Sequence, residues 1–140
     1  MMEQRLTYIT LGVKNLKRAS DFYEQKFGWI RSEQSVGDVV FYKLNQIILA
    51  LFPAKDLAKD ATVPAAGSGF KRFSLSYNVR SEQEVDSLVA ELRAKKVKVV
   101  KKPQKAEWGG YTAYVADPDN NLWEIAYNPF LKLDELGNPE

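Results

Sequence analysis

Apolar and polar positions along the first fifty residues follow periods that predict strands gathered around one amphipathic helix. Residues 5–13 alternate as a strand does, and Asn15 can then cap a helix with apolar positions at helical spacing. Gly28 is well placed to end that helix. Three further strands are predicted over residues 29–33, 39–44 and 47–52. The first half of the chain therefore has the predicted order βαβββ.

The second half repeats this order after a longer polar segment. Residues 54–69 contain Pro64 and end in a Gly-Ser-Gly group, which predicts a linker or a mobile flap. Residues 73–79 alternate as a strand, and Ser81 with Glu84 fits a capping box for a second helix. Strands are then predicted over residues 97–100, 111–116 and 122–127. A repeat of about 65–75 residues made of sheet and helix predicts two similar modules packed together.

The length of the chain is typical of one domain. With 140 residues it can bury one substantial core, so we predict a single α+β domain over residues 1–140. Module one would span about residues 5–53 and module two about residues 70–129. The linker or flap at 54–69 would join them, and a C-terminal tail would occupy residues 130–140.

Composition excludes several binding partners and types of catalysis, and it says less about the fold. The net charge of +2 gives no argument for nucleic acid, and the lysines between residues 95 and 105 interleave with valines as on a solvated edge strand. The absence of cysteine excludes disulfides and thiol catalysis, and the absence of histidine excludes Ser-His-Asp and Cys-His triads. The longest apolar run, residues 47–52, is too short to span a bilayer. We expect a cytoplasmic protein without nucleic acid or membrane partners.

Glu124 is the most informative charged residue of the last predicted strand. Alternation puts Trp123 and Ile125 on one face of that strand and Glu124 on the other. A carboxylate in an otherwise apolar strand either lies at a solvated face or lines a site. In a functional interpretation, Glu124 is a base, or an anchor for a cationic or hydroxyl-bearing ligand. In a structural interpretation, it bonds to a neighbour such as Tyr8 or Ser74.

Other candidate binding residues share the predicted face of Glu124. Polar side chains of the two first strands offer hydroxyl and amide donors to a ligand, or form a polar seam filled by water. They are Tyr8, Thr10, Ser74, Ser76 and Asn78. Ile48, Ala50 and Phe52 would supply an apolar wall, although Ile48 can equally fill the core between the modules.

Two loops carry the remaining candidates. Trp108 precedes two glycines, so it can cover the mouth of a pocket, or it can pack against residues 54–69 or across a dimer contact. Asp117 and Asp119 lie in a turn motif, where carboxylates typically bond to local backbone, so we do not expect them to be catalytic.

Two motifs resemble the vicinal oxygen chelate superfamily, which includes glyoxalase I, bleomycin-resistance proteins, fosfomycin-resistance enzymes and extradiol dioxygenases. ITLGVKNL at residues 9–16, followed by FY at 22–23 and FGW at 27–29, resembles the family's opening. DPD at 117–119 with LWE at 122–124 resembles its end. The resemblance implies eight strands curved into an incomplete barrel, helices outside, a divalent metal on the concave face, and pairing as a homodimer.

The resemblance also implies positions for the metal ligands. Carried over residue by residue, they fall at Tyr8 and Ser74 on the first strands and at Ile48 and Glu124 on the last strands. Only Glu124 is a usual ligand type, and one carboxylate falls short of what a divalent cation needs. We therefore predict no metal and no cofactor.

Three functions remain open from the sequence. The first is a metal-independent protein of the bleomycin-resistance or glyoxalase type that binds a small amphipathic molecule in the concave cavity. The second is a lyase or isomerase of the glyoxalase type that uses Glu124 as its base or as a remnant metal ligand. The third is an interaction module with a filled cavity. Whether the protein is an enzyme is left open by the sequence.

Overall fold

The computed structural model describes residues 1–140 and divides them into two compact units, residues 1–68 and 69–140. We call them unit 1 and unit 2. Each unit combines one β-sheet with α-helices, so the predicted α+β fold class is confirmed. No helix in the structure has both the length and the apolarity that crossing a bilayer requires.

Unit 1 holds a three-stranded sheet with two helices. The sheet has the order β1-β3-β2, with β1 parallel to β3 and β2 antiparallel to β3. Its elements are β1 (Tyr8–Val13), α1 (Leu16–Gln25), β2 (Val40–Lys43), β3 (Ile48–Pro53) and α2 (Ala54–Asp60).

Helix α1 begins where the sequence predicts and ends earlier. The Asn15 side chain accepts a hydrogen bond of 2.8 Å from the Arg18 backbone N–H, which confirms the predicted N-cap. The helix ends at Gln25, and Gly28 then adopts a positive φ of 74° that turns the chain. The Trp29 backbone N–H donates to the Tyr23 carbonyl at 3.1 Å, which brings the indole back onto the helix.

The strand predicted over residues 29–33 is absent. The Ser32 N–H donates to the Phe41 carbonyl at 2.8 Å, as in a strand pair. The Phe41 N–H, which would complete that pair, donates instead to the Ser35 hydroxyl at 2.9 Å. A side chain has therefore replaced a ladder carbonyl, and the structure has seven strands where the sequence predicted eight.

Helix α2 lies in the segment for which the sequence predicts a linker or flap and no helix. It starts directly after β3, and none of its residues is buried. A Cβ added to Gly12 of β1 would lie 3.3 Å from the Ala54 Cα and from a Leu57 methyl carbon. Glycine at position 12 therefore permits the close approach of α2 to β1.

Unit 2 holds a four-stranded sheet and one helix. The sheet has the order β4-β7-β6-β5, with β4 parallel to β7 and the other pairs antiparallel. Its elements are β4 (Leu75–Val79), α3 (Glu82–Ala94), β5 (Lys98–Lys105), β6 (Tyr111–Ala116) and β7 (Leu122–Tyr127).

Helix α3 is capped at its start and covers one face of this sheet. The Glu84 N–H donates to the Ser81 hydroxyl at 3.1 Å, and the Glu84 carboxylate accepts from the Arg80 N–H at 2.6 Å. This is the predicted capping box with its second bond moved one residue towards the N-terminus. The core beneath the helix comprises Val85, Val89, Ala113 and Ile125.

The lysine-rich segment forms β5, an edge strand paired only with β6, which confirms the predicted edge position. Lys98, Lys101, Lys102 and Lys105 are all exposed. Two register shifts interrupt its pairing with β6. Charged side chains and irregular pairing both discourage the addition of a further strand, so this edge is protected.

Two loops of unit 2 share one hydrogen-bond pattern. The Asp117 carboxylate accepts from the N–H groups of Asp119 and Asn121 and from the Asn121 side-chain amide, at 2.8–2.9 Å. The predicted local role of Asp117 is thereby confirmed. In the C-terminal tail, Asp134 makes the same three bonds with Leu136 and Asn138, at 2.8–3.0 Å. The tail is therefore a small hairpin, closed by the bridge between Leu133 and Pro139.

Candidate functional site

Glu124 lies in the middle of the unit 2 sheet, on the face away from α3. Strand pairing places Ser76 of β4 and Tyr114 of β6 directly opposite it. The Ser76 hydroxyl donates to Oε1 at 2.7 Å, and the Tyr114 hydroxyl donates to Oε2 at 3.1 Å. Each carboxylate oxygen thus accepts a hydrogen bond, and the partners are Ser76 and Tyr114, where the sequence suggested Tyr8 or Ser74.

Tyr114 is a site residue that is not among the sequence-predicted candidates, although the sequence contains a signal for it. Its neighbours Ala113 and Val115 are fully buried, so alternation along β6 puts Tyr114 on the face of Glu124. The loop of residues 117–121 pairs Ala116 with Leu122. Two residues further from this loop on each strand, position 114 therefore pairs with position 124. The hairpin alone therefore predicts this contact.

Small side chains lie on either side of this row. Along β7, Ala126 pairs with Asn78 on one side and with Thr112 on the other, while Ala116 pairs with Leu122. Ala116, Ala126 and Thr112 are buried. Because alanine fills little space above a sheet, Glu124 and the Tyr114 ring stand out from their surroundings on this face.

The Glu124 cluster, which comprises Glu124, Ser76 and Tyr114, carries a negative charge that no ion pair neutralises. No ion pair within 4.0 Å involves Glu124, and the donors to its carboxylate are neutral hydroxyls. Burial raises the pKa of the Tyr114 hydroxyl, and the charge of Glu124 and the hydrogen bond to it raise that pKa further. A hydrogen bond with Ser74 acts in the opposite direction, so Ser74 also belongs to the cluster.

Replacing Glu124 with glutamine is expected to lower the pKa of Tyr114, because the charge that opposes phenolate formation is removed. Tyr111 is a control in the same strand, since its pKa is raised chiefly by a hydrogen bond to Asp86. NMR titration of ring signals from labelled tyrosine would follow both hydroxyls. An unchanged Tyr114 pKa in the variant, or an equal change at Tyr111, would contradict this geometry.

The matching face of the unit 1 sheet is mainly apolar. Thr10 pairs with Ala50, and Ala50 pairs with Phe41, whose ring lies 6.0 Å from that of Tyr8 between centroids. Tyr8 pairs with Ile48. Phe52, two residues beyond Ala50, continues the same face, so this face carries no carboxylate on β3.

Strand pairing and the sequence repeat give different unit 1 counterparts for Glu124. Glu124 lies opposite Ser76, which is three residues before the end of β4. The corresponding residue three before the end of β1 is Thr10, and it lies opposite Ala50. By strand pairing, the unit 1 counterpart of Glu124 is therefore Ala50, two residues from Ile48, the counterpart that the sequence repeat suggested.

Trp108 occupies the loop before β6. A Cβ on Gly110 would overlap its indole, so the absence of a side chain at Gly110 makes room for the ring. The indole is 51% exposed, and Phe130 lies against the neighbouring Gly109. Trp108 thus covers its own turn at the Tyr111 end of β6, and a role over a ligand stays a prediction.

The residues around Glu124 do not fit the divalent metal that the family resemblance implies. The donors are one carboxylate, already accepting from two hydroxyls, together with those neutral hydroxyls. No group of three or more His, Cys, Asp and Glu side chains that could hold a metal ion occurs in the structure. Divalent ions bind to several carboxylate, imidazole, carbonyl or thiolate donors, so this set is insufficient.

Comparison with known proteins identifies the family. The family model named Glyoxalase/Bleomycin resistance protein/Dioxygenase superfamily matches residues 5–125. The chain belongs to this superfamily. A glyoxalase-related enzyme from Fulvimarina pelagi is 33% identical, with a TM-score of 0.85 over 99% of this chain and 98% of its own.

Two more distant structures share the fold. They are a glyoxalase/bleomycin resistance protein/dioxygenase from Nocardioides, with a TM-score of 0.78, and a lactoylglutathione lyase from Agrobacterium tumefaciens, with a TM-score of 0.71. Each is 22% identical and covers 91% of this chain, matching 85% and 96% of its own length respectively.

Proposed function

We propose that this protein binds a small amphipathic molecule through direct contact with Glu124, without an intervening metal. The observation that carries the proposal is a half-buried carboxylate with two neutral donors and no cation. A carboxylate has about four lone-pair directions, and Ser76 and Tyr114 use two of them. The remaining directions accept from a ligand donor, and the uncompensated charge favours an ammonium over a hydroxyl.

The surroundings of Glu124 favour an apolar body on that ligand. Ala116, Ala126 and Leu122 share its face, and the ring of Tyr114 stands beside it. A ligand that places its donor at Glu124 would lay its apolar part over Leu122 and the Tyr114 ring, which are both partly exposed. Binding sites for small molecules commonly combine apolar walls with a few fixed polar groups in this way.

A lyase or isomerase of the glyoxalase type is the second candidate. The observation that favours it is the contact between a carboxylate and a phenol, since Glu124 could accept a proton and Tyr114 could return one. The relative from Fulvimarina pelagi is described as a glyoxalase-related enzyme. Saturable binding without turnover supports the binding protein, whereas turnover lost in Tyr114→Phe supports the enzyme.

A series of three compounds with one aromatic body tests the proposal. At the Glu124 site, chelator-treated protein should bind phenethylamine most tightly, 2-phenylethanol less tightly and 3-phenylpropionate least tightly, as followed by the amide NMR shifts of Ser76 and Glu124. Glu124→Gln should weaken phenethylamine binding about tenfold or more, since a hydrogen bond to a charged group is worth about 1.5–3 kcal/mol. NMR shifts at Ser76, Tyr114 and Glu124 would locate the compound.

Glu107→Gln supplies the matched control, because Glu107 is exposed in the loop before β6 and the substitution makes the same chemical change. Its affinity for phenethylamine should equal that of the unsubstituted protein. Equal binding by Glu124→Gln, or no binding by any of the three compounds at Glu124, would overturn the proposed function.

A further inference from the structure

A cavity in unit 2 lies away from the Glu124 face. It has a volume of about 390 Å³ and is lined by Val79, Arg80, Tyr127 and residues 128–133. Val79 and Tyr127 pack against the core beneath α3, whereas Glu124 lies on the opposite face of the sheet. The cavity therefore occupies the α3 side of the sheet, where β4 and β7 end, and it is separate from the candidate site above.

Arg80 contributes a positive charge to the lining of this cavity. Its Nη2 group donates to the backbone carbonyls of Asp134 at 2.7 Å and Glu135 at 3.3 Å, and no carboxylate pairs with its guanidinium. The other cation in the lining, Lys132, is paired with Glu140 at 2.8 Å. Carbonyl groups satisfy N–H donors without cancelling a charge, so Arg80 remains the uncompensated cation.

The surrounding structure fixes Arg80 before any ligand arrives. Its backbone N–H donates to the Glu84 carboxylate at the start of α3, at 2.6 Å. The carbonyls that hold its guanidinium belong to the C-terminal hairpin, which the Asp134 bonds and the bridge between Leu133 and Pro139 close. A side chain held at both ends loses little conformational freedom on binding.

The rest of the lining is mainly apolar, and part of it is exposed to solvent. Phe130 is 79% exposed although it lines the cavity, and it is positioned against Gly109, where an added Cβ would lie 3.2 Å from its ring. Val79, Tyr127 and Leu131 complete the walls. A volume of about 390 Å³ is within the range of ligand pockets.

We propose that this cavity binds a small organic monocarboxylate, with the carboxylate on Arg80 and the apolar body against Phe130 and Tyr127. The Nε and Nη1 groups of Arg80 make no bond to the protein, so they are the donors for the ligand. One uncompensated cation matches one negative charge, which favours a carboxylate over a phosphate. This site is independent of the proposed function at Glu124.

The test uses 3-phenylpropionate and its neutral relative 2-phenylethanol, titrated into the full chain at pH 7 and followed by amide NMR shifts. Asn138 holds the pKa of Asp134 below its usual range through side-chain and backbone hydrogen bonds. The stability that Asp134 adds is therefore present above its unfolded pKa and lost as pH falls through the lowered one, so the hairpin is intact at pH 7. We expect saturable shifts at Val79, Tyr127 and Leu131 with the acid, and binding at least about tenfold weaker with the alcohol.

Three substitutions make the result decisive. Arg80→Gln should weaken 3-phenylpropionate binding at least about tenfold, with the Gly137 and Asn138 amides showing whether the hairpin persists. Leu131→Trp should abolish binding by filling the cavity while leaving Arg80 in place. Glu124→Gln should bind the acid as tightly as the unsubstituted protein. Equal binding of acid and alcohol, unchanged affinity in Arg80→Gln, or coverage of the cavity by a second copy of the chain would overturn the proposal.

Discussion

Replacing Asp117 with alanine is expected to lower the free energy of unfolding by about 3–4 kcal/mol. The Asp117 side chain is buried, at 4% exposed, and its carboxylate accepts three hydrogen bonds from Asp119 and Asn121. Alanine would leave these three donors without an acceptor in a loop where water has little access. Urea denaturation followed by circular dichroism would measure the change.

The chain contains its own control for this prediction. Asp134 makes the same three bonds within the C-terminal hairpin, but that hairpin is more exposed to water. Water can take over the bonds that Asp134→Ala removes, so the loss of stability should be clearly smaller. Similar losses in the two variants would mean that burial does not determine the strength of the Asp117 loop.

Replacing Tyr23 with alanine is expected to cost about 3–5 kcal/mol of stability. Tyr23 is fully buried, and its ring contacts those of Phe22, Phe27, Trp29 and Tyr42 at centroid distances of 5.2–5.9 Å. Removing the central ring opens a cavity that four rigid neighbours cannot fill. Thermal and urea unfolding would measure the loss, and fluorescence would report the exposure of tryptophan.

Tyr77→Ala is the matched control because it removes the same side chain from a position that is 49% exposed. The expected loss is less than about 1 kcal/mol. If Tyr77→Ala destabilised the protein as much as Tyr23→Ala, the aromatic cluster of unit 1 would not be the main source of its stability.

Elements with a local stop or start signal could be predicted from the sequence. Asn15 and Ser81 cap the two long helices as expected, and the turn residues at 117–121 define the β6-β7 hairpin. The absent strand at 29–33 depends on a side-chain bond from Ser35 that no periodic pattern reveals. Helix α2 buries none of its residues, so it leaves no apolar stripe in the sequence.

Strand β5 is longer than the sequence predicts, because it continues past a proline. The sequence pattern predicts a strand that ends at residue 100, whereas the structure extends it through Pro103 to Lys105. Proline lacks the N–H that a central strand needs, but an edge strand can turn that position away from its neighbour. The extension therefore depends on the edge position of β5, which is a property of the whole sheet.

The sequence predicts which face of the strand carries Glu124, but it predicts only some of the contacts that Glu124 makes. Alternation along β7 correctly puts Glu124 on one face of the strand and the core residues Trp123 and Ile125 on the other face. Its partner Ser76 is set by the register of the parallel pair β4-β7, whose strands are connected through α3, β5 and β6. Register across such a long connection is decided by packing of the whole unit, so local pattern could not distinguish Ser76 from Ser74.

The groups bonded to the Glu124 carboxylate are neutral hydroxyls. In a metal centre the ion would neutralise this carboxylate, whereas here Ser76 and Tyr114 orient it and leave its charge in place. A ligand with its own positive charge or polar hydrogen can then occupy the position in front of Glu124. Family membership fixes the scaffold, and these three residues carry the proposed specificity.

The most direct test is the calorimetric affinity of chelator-treated protein for phenethylamine, repeated with Mg²⁺, Mn²⁺, Ni²⁺ and Zn²⁺ added one at a time. We predict saturable binding in the chelated protein, the same affinity with each ion, and a loss of about tenfold or more in Glu124→Gln. Binding that appears only after an ion is added, and that Glu124→Gln abolishes, would show that Glu124 is a metal ligand and would contradict this account.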